Sequence, residues 1–186
     1  MVFGHSYGGL VALETTLRRP AAVITKLAVY EPAVSIDGTI SNDWLPELDR
    51  AVAEDRTADG VVSVLRGLDL VGPLKHLPVR LQRAVTRAVM HGDTLADMRE
   101  LLPTASEEVA TATALDSSGA KYAGVGVDTL LMCGERGPEY LRHVAETLDE
   151  VIPQSRMAVL DKLSHNAPDL DAPEAVAVEL RRYFGG

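Results

Sequence analysis

Gly4-His5-Ser6-Tyr7-Gly8-Gly9 decides how this chain folds. The pattern Gly-x-Ser-x-Gly sets a serine on a sharp turn between a strand and a helix. Glycine is expected on both sides of the serine, at Gly4 and Gly8. A Cβ there would meet the neighbouring strand or helix, and the turn takes strained backbone angles. Ahead of it, the apolar Met1-Val2-Phe3 is a stump too short for a full strand. Behind it, a helix is expected from Gly8, with Leu10, Leu13 and Leu17 on one face. Arg18 and Arg19 suit its negative end, and Pro20 stops it.

Working outward, Ile24 to Tyr30 is short, apolar and β-branched, the signature of a buried strand, and Glu31-Pro32 ends it. A strand–helix–strand crossover of this kind implies parallel pairing. The grammar returns near the C-terminus. Val127 to Cys133 reads as a strand closed by Gly134, and Pro138 opens a helix with Leu141, Val144, Leu148 and Val151 on one face. Met157 to Leu160 is a further strand, followed by a loop from Asp161 to Asp169. The last helix carries Asp171 and Glu174 at capping-box spacing and a stripe of Val176, Leu180 and Phe184.

The stretch between is helical in period. Leu45, Leu48 and Val52 form one face, Val61, Val62 and Leu65 a second, and Leu77, Leu81, Val85 and Val89 a third with Arg80, Arg83 and Arg87 offset from it. Thr57, Asp93 and Ser106 are candidate helix caps. Gly119 to Gly126 is the expected hinge back into the sheet. The fold class is therefore α/β, a parallel sheet with a helical insertion. Its parts are 1–33, 34–125 and 126–186, all within one domain.

Composition sets the outer bounds. With 186 residues and 46% apolar content, the chain can bury one core. No run reaches the ~18–20 apolar residues of a membrane span. A net charge of −9 disfavours nucleic acid and anionic membrane as partners and says nothing about a neutral small-molecule substrate. One cysteine, Cys133, excludes a disulfide framework and a cysteine-rich zinc site. No basic and apolar leader precedes the first strand, so the expected location is cytoplasmic. Oligomeric state is open.

Ser6 is the first chemical candidate. Apolar residues before it, a helix directly after it and a buried strand beyond lift the motif above a chance glycine-rich turn. The helix N-terminus adds a positive dipole, and the N–H of Tyr7 is an expected oxyanion donor. His165, in Leu163-Ser164-His165-Asn166-Ala167-Pro168, is the second. It stands in a loop after the last strand, where a neutral imidazole can serve as a general base.

Together G-H-S-Y-G-G, L-A-V-Y-E-P, L-L-M-C-G-E-R and S-H-N-A-P resemble, in order, the α/β-hydrolase fold of lid-bearing, esterase-like serine hydrolases. The resemblance covers essentially the whole chain and gives the helical insertion the place of the lid. It implies a serine hydrolase cleaving a small ester or lactone through an acyl-enzyme, with no cofactor and no metal. It also implies that the four strands are sheet neighbours and that the elbow strand is an open edge, because the earlier strands and the second oxyanion donor are missing. The expectation is that the protein begins upstream of Met1. A truncated, non-catalytic remnant that binds a small ligand or partner is the alternative.

The triad acid is where the resemblance departs. The family's usual aspartate falls in Gly134-Glu135-Arg136-Gly137-Pro138, at Gly137. Glu31 resembles the alternative acid position of haloalkane dehalogenases and is taken as the acid, with Glu135 the alternative from the usual loop. Glu139 also lies in reach there but, at a helix start, is more simply a charge near the dipole. His5 is expected to pack beside Ser6. His76, His91 and His143 lack metal-ligand spacing. Trp44, Met90 and Met98 are expected in core packing.

Overall fold

The computed structural model describes residues 1–19 and 23–185; Pro20, the expected helix stop, lies outside the described residues. They divide into two compact units, Met1–Thr39 with Leu115–Gly186, and Ile40–Ala114.

The first unit holds the sheet. Strands β1 (Val2–His5), β2 (Lys26–Tyr30), β3 (Asp128–Gly134) and β4 (Ser155–Leu160) are all parallel in the order β1-β2-β3-β4. The expected neighbour relation holds. The stump forms a true strand, contrary to expectation, because Gly4 and His5 extend it and Val2–His5 pairs in register with Leu27–Tyr30. Leu27, Ala28, Val29 and Tyr30 on β2 and Leu130, Leu131, Met132 and Cys133 on β3 are all buried. Such continuous apolar runs are what a parallel sheet covered on both faces demands.

Side chains alternate between the faces. Ala28, Tyr30, Leu130 and Met132 pack with Val176 and Tyr183 of α7 (Pro173–Gly185). Tyr183 is the buried aromatic of that helix and its hydroxyl donates to Asp128 O at 2.5 Å, while Phe184 is half-buried. On α1 (Tyr7–Arg18), Leu10 and Leu13 are buried; on α6 (Glu139–Val151), Leu141, Val144 and Leu148 are. A buried cluster fastens α1. Glu14 accepts from Tyr122 Oη at 2.9 Å and pairs with Lys121 at 2.8 Å and Arg18 at 2.9 Å.

The second unit contains α2 (Leu45–Ala53), α3 (Thr57–Gly67), α4 (Val79–Val89) and α5 (Asp93–Ala114). Thr57 is the first residue of α3, whose cap position is Arg56. Ser106 lies inside α5 and caps nothing; the Asp93 side chain lies outside the described ones. On the expected apolar face of α4, Leu81 and Val89 are open to solvent and Val85 is half-buried, while Gln82 is the buried residue of the helix. Arg83 is half-buried and pairs with Glu47, while Arg87 pairs with Asp59 and, like Arg80, is exposed. A cavity of about 660 Å³ opens in this unit, lined by Arg56, Asp59, Arg87, Met90 and Arg99 among others. Its arginines are all ion-paired: Arg56 with Glu54 and Asp59, Arg87 with Asp59, Arg99 with Asp55. Among the described residues, no helix is long and apolar enough to cross a membrane.

Asp59 gives this unit a pH signature. It is buried, 2.6 Å from Arg56 and 2.5 Å from Arg87. Burial alone would raise its pKa, but the Arg56 hydrogen bond and the charges of Arg87, Arg83 and Arg56 hold it below the ordinary value. A depressed folded pKa stabilises fully above the unfolded value of about 3.9, and that stabilisation is lost as pH falls through the folded value. Asp59→Asn should therefore cost about 2 kcal/mol at neutral pH, and the difference from the parent should shrink in acid. Hydrogen exchange of the α3 amides at both pH values checks this; an unchanged difference would refute it.

Candidate active site

Parallel pairing brings the C-terminal ends of all four strands to one edge, where His5 pairs with Tyr30, Tyr30 with Met132 and Gly134 with Leu160. Crevices at such edges are where open α/β sheets bind ligands. Ser6 stands there between β1 and α1 at φ 51° and ψ −123°, a strained conformation for a residue with a Cβ. Backbone bonds hold it. Its N–H donates to Tyr30 O at 3.0 Å, and its carbonyl accepts from Gly9 N at 2.9 Å, Leu10 N at 3.2 Å and Ala33 N at 2.9 Å. Tyr7 opens α1, so its N–H has no partner within the helix.

The glycines divide differently from expectation. A Cβ on Gly4 would overlap Gly8 O and come within 2.8 Å of Gly9 Cα, and one on Gly9 would lie 2.8 Å from Pro32 Cβ. A Cβ on Gly8 meets nothing within 4 Å, so the collision expected there does not exist. The reason is geometric: Gly8 faces solvent from the first turn of α1.

Glu31 ends β2 with its backbone at φ 42°, the second strained residue of this edge. It is 1% exposed. One carboxylate oxygen accepts from Gly134 N at 2.8 Å, and the other lies 2.7 Å from His165 Nδ1. With the Nδ1 proton directed at Glu31, Nε2 is left as an acceptor. Glu135, the other candidate acid, is exposed, and its carboxylate accepts from Lys162 N at 2.9 Å. That bond holds its pKa below the ordinary carboxylate value. Glu139 is the first residue of α6.

The loop carrying His165 is stitched down on both sides. Tyr30 Oη donates to Ser164 O at 2.7 Å, and Arg136 N donates to Leu163 O at 2.9 Å. The Ser164 hydroxyl donates to Asp171 and accepts from Asn166 N at 3.1 Å. Asp171 is therefore bound to the histidine loop rather than capping α7, which begins at Pro173. Burial and the nearby Glu31 charge push the Tyr30 phenol's pKa up, so it stays a donor. The sequence reading overlooked Tyr30, although a tyrosine directly before a strand-end glutamate was a visible signal.

His5 packs against His165 with ring centroids 4.8 Å apart and meets the edge of Tyr30 at 5.8 Å. Burial, then the neighbouring His165, lowers its pKa, so His5 is neutral at pH 7. This contact ties His165 to the residue next to Ser6. The edge thus gathers Ser6, Tyr7, Glu31 and His165 in one neighbourhood.

The model of the alpha/beta hydrolase family matches residues 1–180. The chain belongs to the alpha/beta hydrolase family. An alpha/beta hydrolase from Sphaerobacter thermophilus DSM 20745 is similar at 26% identity and a TM-score of 0.73, over 99% of this chain and 66% of its own. An esterase from Exiguobacterium antarcticum shares the hydrolase fold at 21% identity and a TM-score of 0.63, over 99% and 66%. So does proline iminopeptidase from Mycobacterium smegmatis, at 22% and 0.60, over 99% and 64%. This alpha/beta hydrolase spans slightly less than two thirds of the length of these structures. No curated protein matches it.

Proposed function

We propose that this chain is a serine hydrolase that cleaves a small carboxylic ester or lactone through an acyl-enzyme. The observation that carries the reading is the 2.7 Å contact between His165 Nδ1 and the buried Glu31, at the strand edge that presents Ser6 on its strained turn. Ser6 Oγ attacks the carbonyl while His165 Nε2 takes its proton, then returns it to the leaving oxygen. Water deacylates the serine with the same histidine as base. Glu31 fixes the tautomer and stabilises the imidazolium as it forms. The N–H of Tyr7 donates to the oxyanion, assisted by the α1 dipole. The helical insertion is read as the lid by its place in chain order, and the cytoplasm as the location.

A fluorophosphonate probe followed by intact-mass analysis tests this. The parent chain should gain one adduct on Ser6. Ser6→Ala should gain none, and His165→Ala should react at least about 10³-fold more slowly. A folded, monodisperse parent that stays unmodified would favour the non-catalytic remnant.

A further inference from the structure

The loop between β3 and α6 contains a glycine with no conformational reason to be one. Gly137 is not among the residues with left-handed backbone. What a side chain there would meet is a single group. A Cβ on Gly137 would overlap Glu31 Oε1, with Cδ 2.7 Å and Oε2 3.0 Å away, and these are its three nearest atoms. The Glu31 carboxylate occupies the space into which a side chain at 137 would grow.

From this we propose that Gly137 is a positioning residue. Its bare Cα admits the Glu31 carboxylate to His165 Nδ1. The inference deepens the serine-hydrolase reading and rests on it only in taking the Glu31–His165 pair as catalytic. Glu31 has no free direction in which to yield. It is buried, and its two oxygens are held by Gly134 N and His165 Nδ1. Adding a methyl at 137 must break one of those bonds. The atoms that give way are the end of a side chain rather than backbone, so the fold survives and the site does not.

The test has two readouts. The first is the far-downfield proton resonance of a histidine Nδ1–H bonded to a carboxylate, which reports the pair whether or not the chain turns over. The parent should show it. Gly137→Ala should lose it while keeping the parent's thermal melt, and its kcat on p-nitrophenyl acetate should fall at least about 10²-fold. Removing the acid should remove the penalty, so Gly137→Ala added to Glu31→Gly should cost no further rate. Gly137→Ala with the resonance intact and parental kcat would overturn the proposal. So would an equal further loss in the Glu31→Gly background, which marks a structural glycine. If the resonance behaves as expected but Ser6→Ala still hydrolyses the ester, it is the serine-hydrolase reading that fails.

Discussion

Glu31→Gln should lower kcat for p-nitrophenyl acetate by about 10⁴-fold, whereas Glu135→Gln should stay within about twofold of the parent. The substitution at 31 keeps the shape of the side chain and changes what it offers. A carboxylate only accepts, so it can hold the Nδ1 proton of His165 and leave Nε2 free to take the serine proton. A glutamine can turn its NH₂ toward Nδ1 instead. The imidazole then carries its proton on Nε2, where it faces Ser6 as a donor and cannot act as a base. The lost charge adds to this, since an imidazolium forms beside position 31 during each proton transfer. Its Gly134 contact survives, because the glutamine oxygen can still accept the 2.8 Å bond from that N–H. Glu135, by contrast, faces solvent and accepts from Lys162 N, and an amide oxygen does that equally well. Steady-state rates across pH for both variants check the assignment. Equal, small losses at both positions would remove Glu31 as the acid.

How much of this was legible in the sequence follows from how local each signal is. The elbow and the histidine loop could be read because each sits at a strand end marked by its own neighbours. The resemblance ranked Glu31 ahead of Glu135 as the histidine's partner, but the residues alone do not separate them, because Glu31 and His165 are 134 positions apart. What separates them is the left-handed backbone at Glu31 and the space above Gly137, and both are tertiary facts. Asp171 matched a capping box in spacing, but the Ser164 hydroxyl competes for its carboxylate. Ser106 matched a helix cap in residue type, and Pro103 stands just before it. α5 runs unbroken through both, with Leu102, Val109 and Ala112 buried along one face. The four-residue spacing of Leu81, Val85 and Val89 marked a helix but not its buried position, which Gln82 takes while Leu81 and Val89 face solvent.

The two glycines that flank Ser6 should respond to alanine with opposite signs, although the motif treats them alike. Gly4→Ala should destabilise the chain by about 3 kcal/mol, the upper end of overpacking costs. Its Cβ would strike Gly8 O and lie 2.7 Å from Gly8 C and 2.8 Å from Gly9 Cα. Every one of those atoms is backbone, so no rotamer change relieves the contact. Either β1 retreats from α1 or the turn opens, and the turn is pinned by Ser6 N–H to Tyr30 O and by Ala33 N–H to Ser6 O. Gly8→Ala meets nothing. It replaces the poorest ordinary helix former by the best in the first turn of α1, where the unfolded chain also loses freedom. A gain of up to about 1 kcal/mol is expected. Denaturant melts of both variants, with the slope held to the parent's, read the difference directly. Equal destabilisation by the two would mean that the motif's glycines serve backbone angles and not the close approach of helix to strand. A neutral Gly4→Ala would mean that the elbow is looser than its hydrogen bonds require, and with it the strained serine on which the hydrolase reading depends.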